Sequence, residues 1–304
     1  MKTRALAAFL AASLVLPARS ASAVTVDGRL EPDYGAALSI QTTQTGNGDS
    51  PFAQVMTAGG SELDQAYGFI AGGVLHVFLS GNLMYVPGAE LMGHWLPTDL
   101  FIDSGPGGQN RLRSDNPAIE PSYDLNPMAG LTFDAAFEAD YWLSCGSTYF
   151  FTPLRAYFAT LPTGGGGTGY YLGYAPTGGP GTLSGGTNPD GIEAALDNSN
   201  RGGVTAGCAA ASGAGVTTGI EWAIPLSAIG NPTGCVKVCA IVCSQDHSTI
   251  ANQVLGPAPP GTCNLGAASA VNFANIAGDQ FFTVCPPPTP ARATSWGLLK
   301  TIYR

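Results

Sequence analysis

Glycine and proline interrupt this chain so often that no segment sustains a helical period. The 304 residues include 42 glycines and 23 prolines, and short runs between them place apolar residues at alternate positions. Alternation is typical of strands with one buried face, whereas a helix repeats its apolar positions every three or four residues. The pattern predicts an all-β protein, an antiparallel β-sandwich of the jelly-roll or immunoglobulin kind with long glycine-rich loops.

Individual strands can be placed from this alternation and from the turns between them. A hairpin is predicted over residues 65–79 with its turn at residues 71–73, and Trp222 is expected in the core. Residues 235–243 are almost uniformly apolar, which indicates a strand buried on both faces. Residues 191–198 fit either a helical turn or a strand. Residues 163–186 fit either a flexible loop or a glycine-rich hairpin around residues 170–174. Further strands are expected at residues 38–43, 100–103, 137–143, 149–158, 216–224 and 281–284.

The two ends of the chain differ from its middle. Lys2 and Arg4 precede an apolar run at residues 5–16, and Ala21-Ser-Ala23 follows, as in a cleaved secretion signal. At the other end, prolines after Cys285 lead into a short basic tail. The predicted organisation is a signal peptide at 1–23, one β-sandwich domain at 24–284, and a proline-rich spacer with a basic tail at 285–304.

Charge and hydropathy exclude several partners. The chain has 12 basic and 21 acidic residues, and the signal removes Lys2, Arg4 and Arg19, so the mature charge is 9 minus 21, or −12. Such a surface is a poor match for nucleic acid or anionic membrane. No stretch after the signal approaches the ~20 apolar residues of a membrane helix. An extracellular or outer cell-surface location is expected, with the periplasm as an alternative.

All seven cysteines lie beyond the predicted signal and would meet an oxidising compartment. Up to three disulfides are expected, with one thiol left over. Cys235, Cys239 and Cys243 recur every four residues, so on a strand they share one face about 13 Å apart and need partners elsewhere. No CxxC motif and no nearby histidine pair accompanies them, which makes a zinc site the less favoured interpretation.

A set of motifs extends along the middle of the chain. They include Val26-Asp-Gly-Arg-Leu30, Gly60-Ser-Glu-Leu-Asp64, Phe101-Ile-Asp-Ser104, Phe137-Glu-Ala-Asp-Tyr141, Gly219-Ile-Glu-Trp-Ala-Ile-Pro-Leu226 and Gly278-Asp-Gln-Phe-Phe-Thr-Val284. Together they resemble a family of exported bacterial proteins of unknown function, over essentially all of residues 24–284. Members often resemble secreted domains with sorting tails of the exosortase type, although this chain lacks the hydrophobic helix that such tails carry after their prolines.

Shorter elements carry two further resemblances. Val26-Asp-Gly28 and Glu221-Trp-Ala-Ile-Pro-Leu226 are similar to DOMON-like domains and family 9 carbohydrate-binding modules, which implies a β-sandwich that binds sugar ends and often calcium. The tail is similar to Trp-Gly…Lys…Tyr-Arg endings of other exported bacterial proteins, which implies a sorting or attachment signal. The alternative is a short amphipathic end that rests on the sandwich. The tail residues concerned are Trp296, Gly297, Lys300, Tyr303 and Arg304.

The best pair of acids for catalysis is Glu138 and Asp140. Two residues apart on a strand, their Cα atoms would lie ~6.6 Å apart, near the carboxyl spacing of an inverting glycosidase. Carboxylates on one strand face point in parallel, whereas the two acids of a glycosidase flank the scissile bond, so a solvated strand face is favoured. No serine lies in a Gly-x-Ser-x-Gly motif and the three histidines are far apart, so no catalytic residue is predicted.

Calcium and sugar are the ligands whose chemistry fits the sequence best. Acids beside glycine turns offer the oxygen atoms that Ca²⁺ prefers, although acids also cap turns without a ligand. A sugar site needs an exposed aromatic ring with polar groups at its rim, and Trp142 beside Glu138 and Asp140 fits that description. Further aromatic candidates are Trp95, Tyr170, Tyr171 and Tyr174. The predicted calcium ligands are Asp99, Asp103, Glu62 and Asp64.

These observations favour a secreted, non-catalytic binding or structural module at the cell surface or in extracellular matrix. Its expected partner is a glycan or another component of the cell envelope. Two alternatives stay open: an extracellular glycan hydrolase that uses Glu138 or Asp140, and a coat protein that self-associates through an unpaired cysteine or an exposed edge strand.

Overall fold

The computed structural model describes residues 24–46, 61–83, 96–120, 123–147, 154–200 and 207–288. Within these ranges the chain is all-β, and its helical segments are 3-10 turns of three or four residues. Two antiparallel sheets share one apolar core, as in a β-sandwich. The predicted fold class is confirmed.

The described residues form a smaller sheet, a larger sheet and a short separate hairpin. In spatial order the smaller sheet contains β1 (Ser39–Ile40), β2 (Glu62–Ala71), β3 (Val74–Asn82), β12 (Gly219–Pro225) and β11 (Glu193–Leu196). The larger contains β10 (Ser184–Gly185), β9 (Gly169–Ala175), β8 (Leu154–Thr160), β7 (Tyr141–Ser147), β4 (Thr98–Asp103), β13 (Val236–Cys243), β14 (Thr249–Leu255) and β15 (Gly266–Ala267), with β16 (Phe282–Val284) paired to one end of β13. The separate hairpin joins β5 (Ala118–Glu120) and β6 (Tyr123–Asp124).

The main core lies between the two sheets. Alternate residues of β2, β3 and β12 face alternate residues of β4, β7, β8 and β13 across it. Trp222 is fully buried there, as predicted. Full burial of a large apolar side chain contributes about 1.5–3 kcal/mol to the stability of the fold. The predicted hairpin over residues 65–79 is β2 and β3, joined by a turn at Gly72 and Gly73.

A second core covers the outer face of the larger sheet. This core contains the side chains that alternate with main-core positions on their strands, among them Phe101, Trp142 and Ile241. They pack against side chains from the segment between β4 and β7 and from residues 265–281. Strand β13 is therefore buried on both faces, which confirms the interpretation of its uniformly apolar sequence. This second layer also determines which polar side chains of the larger sheet are removed from water.

Three predicted elements differ in detail. Residues 137–143 do not form one strand: β7 begins at Tyr141, and Phe137 lies in the same core as Trp142. The strand expected over residues 149–158 corresponds to β8, which is described from Leu154 to Thr160, and residues 149–153 lie outside the described ranges. Residues 191–198 contain the strand β11 rather than a helical turn.

Two disulfides connect distant parts of the chain, and the remaining cysteines are buried thiols. Cys235, directly before β13, pairs with a distant cysteine, as expected from its spacing, but Cys239 and Cys243 have no disulfide partner. The number of disulfides is two, within the predicted limit of three, and the expectation of a single remaining thiol is wrong. The pairs are Cys208–Cys263 and Cys235–Cys285, and the thiols are Cys145, Cys239 and Cys243.

Thiol titration should distinguish this arrangement from one with three disulfides. Seven cysteines minus the four in disulfides leave three thiols, and all three are buried. Ellman's reagent should therefore react slowly with the native, non-reduced protein and should report three thiols per chain in guanidinium chloride. A single thiol in the denatured protein would contradict the pairing.

Candidate functional site

Three side chains with different ligand chemistry meet at one end of the larger sheet. They are Asp99, Cys243 and His247, called here the Asp–Cys–His cluster. Sγ of Cys243 lies 2.9 Å from Oδ2 of Asp99, and Nε2 of His247 lies 3.3 Å from Oδ1 of the same carboxylate. All three residues are 0% exposed, and one donor atom from each lies within 4.8 Å of the others.

Strand register places two members of the cluster side by side. Asp99 in β4 lies opposite Ile241 of β13 on one side and opposite Ser144 of β7 on the other. Cys243 follows Ile241 by two residues and therefore points to the same face of the sheet. That face is the one covered by the second core, so the cluster is closed off from water.

The turn between β13 and β14 supplies the third member. A carboxylate oxygen of Asp246 accepts hydrogen bonds from the hydroxyl of Ser244 and from the N–H and hydroxyl of Ser248. The N–H of His247 donates to the carbonyl of Ser244 at 2.8 Å. His247 has a left-handed backbone conformation in this turn, with φ of 58°. The imidazole ring of His247 contacts the Trp142 ring edge-on, with 5.7 Å between the ring centres.

The electrostatics of the cluster argue against nucleophilic catalysis. Burial raises the pKa of the Cys243 thiol well above its usual value, and the Asp99 carboxylate raises it further. The protonated thiol donates to Asp99, so thiol and imidazole both face the carboxylate. A cysteine nucleophile instead needs its base as a direct partner and needs access for substrate. This cluster is arranged for structure or for ion binding.

The expectation that Trp142 is an exposed aromatic platform is wrong. Trp142 is 0% exposed and packs in the second core beside His247, because the segment between β4 and β7 folds over the outer face of the sheet. A sequence with alternating polar and apolar residues does not reveal that a loop covers its polar face. Trp142 therefore presents no ring to a sugar.

Glu138 and Asp140, expected on one strand face with Trp142, lie before β7 begins. Oδ2 of Asp140 accepts hydrogen bonds from the N–H groups of Ser104 and Gly105 at 2.9 and 3.0 Å. Burial raises the pKa of Asp140, whereas these two N–H donors lower it, with a net increase. Glu138 is exposed, and its backbone N–H donates to Asp103. Asp140 thus holds the turn that follows β4.

Tyr171 belongs to a polar aromatic surface on the outer face of β8 and β9, called here the tyrosine face. The Arg155 guanidinium lies 4.4 Å from the centre of the Tyr171 ring and 3.2 Å from a carboxylate oxygen of Glu120. The hydroxyl of Tyr157 donates to the other oxygen of Glu120 at 3.0 Å. Tyr174, directly opposite Arg155 in the strand register, is 44% exposed. The surface therefore combines an open ring with an ion pair.

The four predicted calcium ligands lie on two strands of different sheets. Asp99 belongs to the Asp–Cys–His cluster, and Asp103 pairs with Lys237 at 2.9 Å. Four residues apart on one strand, these two acids have Cα atoms separated by about 13 Å, too far to share an ion. Glu62 and Asp64 are buried in β2. Calcium binding at that second pair stays a prediction.

Burial dominates the electrostatics of the second pair. It raises the pKa of Glu62 to about 8, with repulsion from Asp64 as a further cause, and raises the pKa of Asp64 to about 7. Both acids bind protons more tightly in the folded chain than in an unfolded one.

Sequence reasoning missed the Asp–Cys–His cluster because 144 residues separate Asp99 from Cys243. One signal was available: Cys243 and His247 stand four residues apart where an apolar strand ends in a polar turn. Arg155 and Glu120 of the tyrosine face were also missed, since ion pairs between distant segments leave no local pattern. The predicted signal peptide, Trp95 and the tail residues lie outside the described ranges.

The chain was compared with known proteins. No protein-family model, no curated protein and no solved structure matches it. Among the described residues, the helical turns are all too short to cross a membrane. The two disulfides are compatible with export to an oxidising compartment.

Proposed function

We propose that this chain is an exported, non-catalytic β-sandwich module that contacts a glycan or another cell-envelope component through the tyrosine face. The observation that supports this proposal is the exposed ring of Tyr174 beside the ion pair of Arg155 and Glu120. The tail at residues 285–304 would direct sorting or attachment, and the module would act at the outer cell surface or in extracellular matrix.

The chemistry of the tyrosine face suits a sugar. A sugar ring presents an apolar face of C–H groups that stacks on an aromatic ring, while its hydroxyls exchange hydrogen bonds with charged groups at the rim. The Tyr174 ring rests on Gly185, where an added Cβ would lie 2.7 Å from a ring carbon. Backbone thus supports one side of the ring. Arg155 and Glu120 supply donors and acceptors close by.

The alternatives receive less support from the described residues. A hydrolase would need Glu138 and Asp140 to flank a substrate, but the Asp140 carboxylate accepts hydrogen bonds from the backbone of the turn after β4. A coat protein linked by disulfides would need an accessible thiol, and the three thiols are buried. A coat built from edge strands stays a separate hypothesis, which analytical ultracentrifugation tests directly, because a strictly monomeric chain would contradict it.

Replacing Tyr174 by alanine should weaken glycan binding about tenfold, because loss of a central stacking ring costs on the order of 1–2 kcal/mol. The measurement is binding of the purified protein to immobilised hexose and N-acetylhexosamine oligosaccharides and to envelope polysaccharide from the producing cell. Leu38→Ala is the matched control, since Leu38 is 43% exposed but lies beside the other sheet, and it should bind as the wild type does.

Three results would decide the proposal. Binding that falls in Tyr174→Ala and persists in Leu38→Ala would support the tyrosine face. Equal binding by both variants would place the contact elsewhere on the module. No binding to any of these saccharides by the wild-type protein would contradict a glycan partner and would favour the structural alternative.

A further inference from the structure

We propose that the Asp–Cys–His cluster is a closed structural site for one transition-metal ion of the Zn²⁺ type. The ion would connect the turn between β13 and β14 to β4, through His247 and Cys243 on one side and Asp99 on the other. The proposal concerns the interior of the larger sheet and is independent of the tyrosine face.

The donor set indicates the class of ion. One carboxylate, one thiolate and one imidazole together match Zn²⁺ and similar borderline-soft ions, whereas Ca²⁺ and Mg²⁺ take oxygen ligands. Zinc binds sulfur at about 2.3 Å and nitrogen or oxygen at about 2.0–2.2 Å, so donor atoms around it lie roughly 3–4 Å apart. The observed separations from the Asp99 carboxylate are 2.9 Å to Sγ and 3.3 Å to Nε2. Small rotations would let all three donors share an ion.

Ser144 provides a second, independent observation. Its side chain is 0% exposed, and its hydroxyl finds no hydrogen-bond partner among the described residues. It lies directly opposite Asp99 on β7 and points to the same face, which places the two Cβ atoms about 4.5–5.5 Å apart. A buried hydroxyl without a partner costs free energy. As a fourth donor, the Ser144 hydroxyl would complete a tetrahedral site.

Burial determines the role of such an ion. With all three donors fully buried, no position is open to substrate, so the site fits a structural ion and not a catalytic one. Binding requires the thiolate, so the Cys243 sulfur exchanges its proton for the ion, and the proton is released to solvent. The ion would enter while the chain folds, before the second core closes over the larger sheet.

The decisive experiment measures metal in the full-length protein. The chain is produced in defined medium containing Zn²⁺ or Co²⁺, passed through a column with a chelator present, and analysed for metal by mass spectrometry. The wild-type protein should retain one ion per chain, and the cobalt form should show thiolate-to-cobalt charge-transfer absorption. Removing the ion should lower the thermal midpoint by about 5 °C or more.

Cys243→Ser keeps a hydroxyl that can donate to Asp99 but removes the sulfur, so metal content should fall at least tenfold. Cys239→Ser is the matched control, because Cys239 is a buried thiol on the same face of the same strand, and Cys145→Ser is a second control. Both should keep the ion and the absorption band. If Cys243→Ser does not fold, persistence of the band in both controls still assigns the sulfur to Cys243, since the other four cysteines are in disulfides.

Two results would overturn the proposal. One is wild-type protein that carries no zinc or cobalt after growth in either metal, which would leave a carboxylate, thiol and imidazole joined by hydrogen bonds alone. The other is bound cobalt without thiolate absorption, or with absorption unchanged in Cys243→Ser, which would place the ion elsewhere.

Discussion

Replacing Glu221 by alanine should lower the free energy of unfolding by about 3–5 kcal/mol, because it leaves several buried donors without an acceptor. The Glu221 carboxylate is 0% exposed and accepts hydrogen bonds from the N–H groups of Asp27 and Gly28, at 2.8 and 2.9 Å, and from the Tyr34 hydroxyl at 2.8 Å. The turn cannot move to find new partners. Gly28 has φ of +81°, and an added Cβ would lie 2.3 Å from the backbone nitrogen of Asp197.

Denaturant unfolding followed by intrinsic fluorescence measures this loss. Glu193→Ala is a matched control, because Glu193 lies on the adjacent strand β11 and is only partly buried; it should change stability by less than about 1 kcal/mol. The free energy of unfolding of Glu221→Gln should lie between those of Glu221→Ala and Glu193→Ala, since the amide keeps one acceptor oxygen. Equal stability of Glu221→Ala and Glu193→Ala would show that water replaces the carboxylate and that this network contributes little.

Stability should fall as pH rises from about 4 to about 8, by several kcal/mol from Glu62 and Asp64 together, since a pKa difference of one between the folded and unfolded chain corresponds to about 1.4 kcal/mol. The folded chain raises the pKa of Glu62 from 4.5 to about 8 and that of Asp64 from 3.8 to about 7, chiefly through burial. Between the unfolded and folded values the native state binds more protons. A rise in pH therefore favours unfolding, and the effect is complete above the folded pKa values.

The double variant Glu62→Gln, Asp64→Asn removes both titrations. Its free energy of unfolding should depend less on pH over this range and should exceed that of the wild type at pH 8, because neutral amides carry no charge into the buried site. Guanidinium unfolding at a series of pH values between 4 and 8 tests this. Glu138→Gln, at an exposed position, serves as the control and should follow the wild-type slope. If the free energy of unfolding changed equally with pH in the double variant and the wild type, Glu62 and Asp64 would not be the groups responsible.

The hydrogen bonds of Glu221 also connect two of the sequence motifs. Val26-Asp-Gly28 and Glu221-Trp-Ala-Ile-Pro-Leu226 are far apart in the chain, yet Glu221 holds the Asp27–Gly28 turn. Trp222 and Ile224 point into the main core, and Pro225 leads into a 3-10 turn at Leu226–Ile229. These contacts give both motifs a structural role, because the hydrogen bonds to Glu221 attach residues 26–28 to β12.

Local patterns in the sequence were enough to predict the fold class and several of the strands. Alternation identified β2, β3 and β12, and uniform apolarity identified β13, because both are properties of consecutive residues. Glycine indicated where strands end, as at the Gly72–Gly73 turn between β2 and β3. The spacing of Cys235, Cys239 and Cys243 likewise ruled out bonds among them, and Cys235 indeed pairs with Cys285.

Only the tertiary structure determined which polar residues are buried and what they contact. Trp142 alternates with apolar neighbours and was expected to be exposed, but the segment between β4 and β7 covers it. Asp99, Cys243 and His247 meet because β4 and β13 are neighbours in the larger sheet, although they lie far apart in the chain. Alternation assigns each side chain to a face of its strand, whereas strand order and covering loops depend on contacts between distant residues. The all-β sandwich is thus a property of local sequence, and the buried cluster is a property of the assembled sheets.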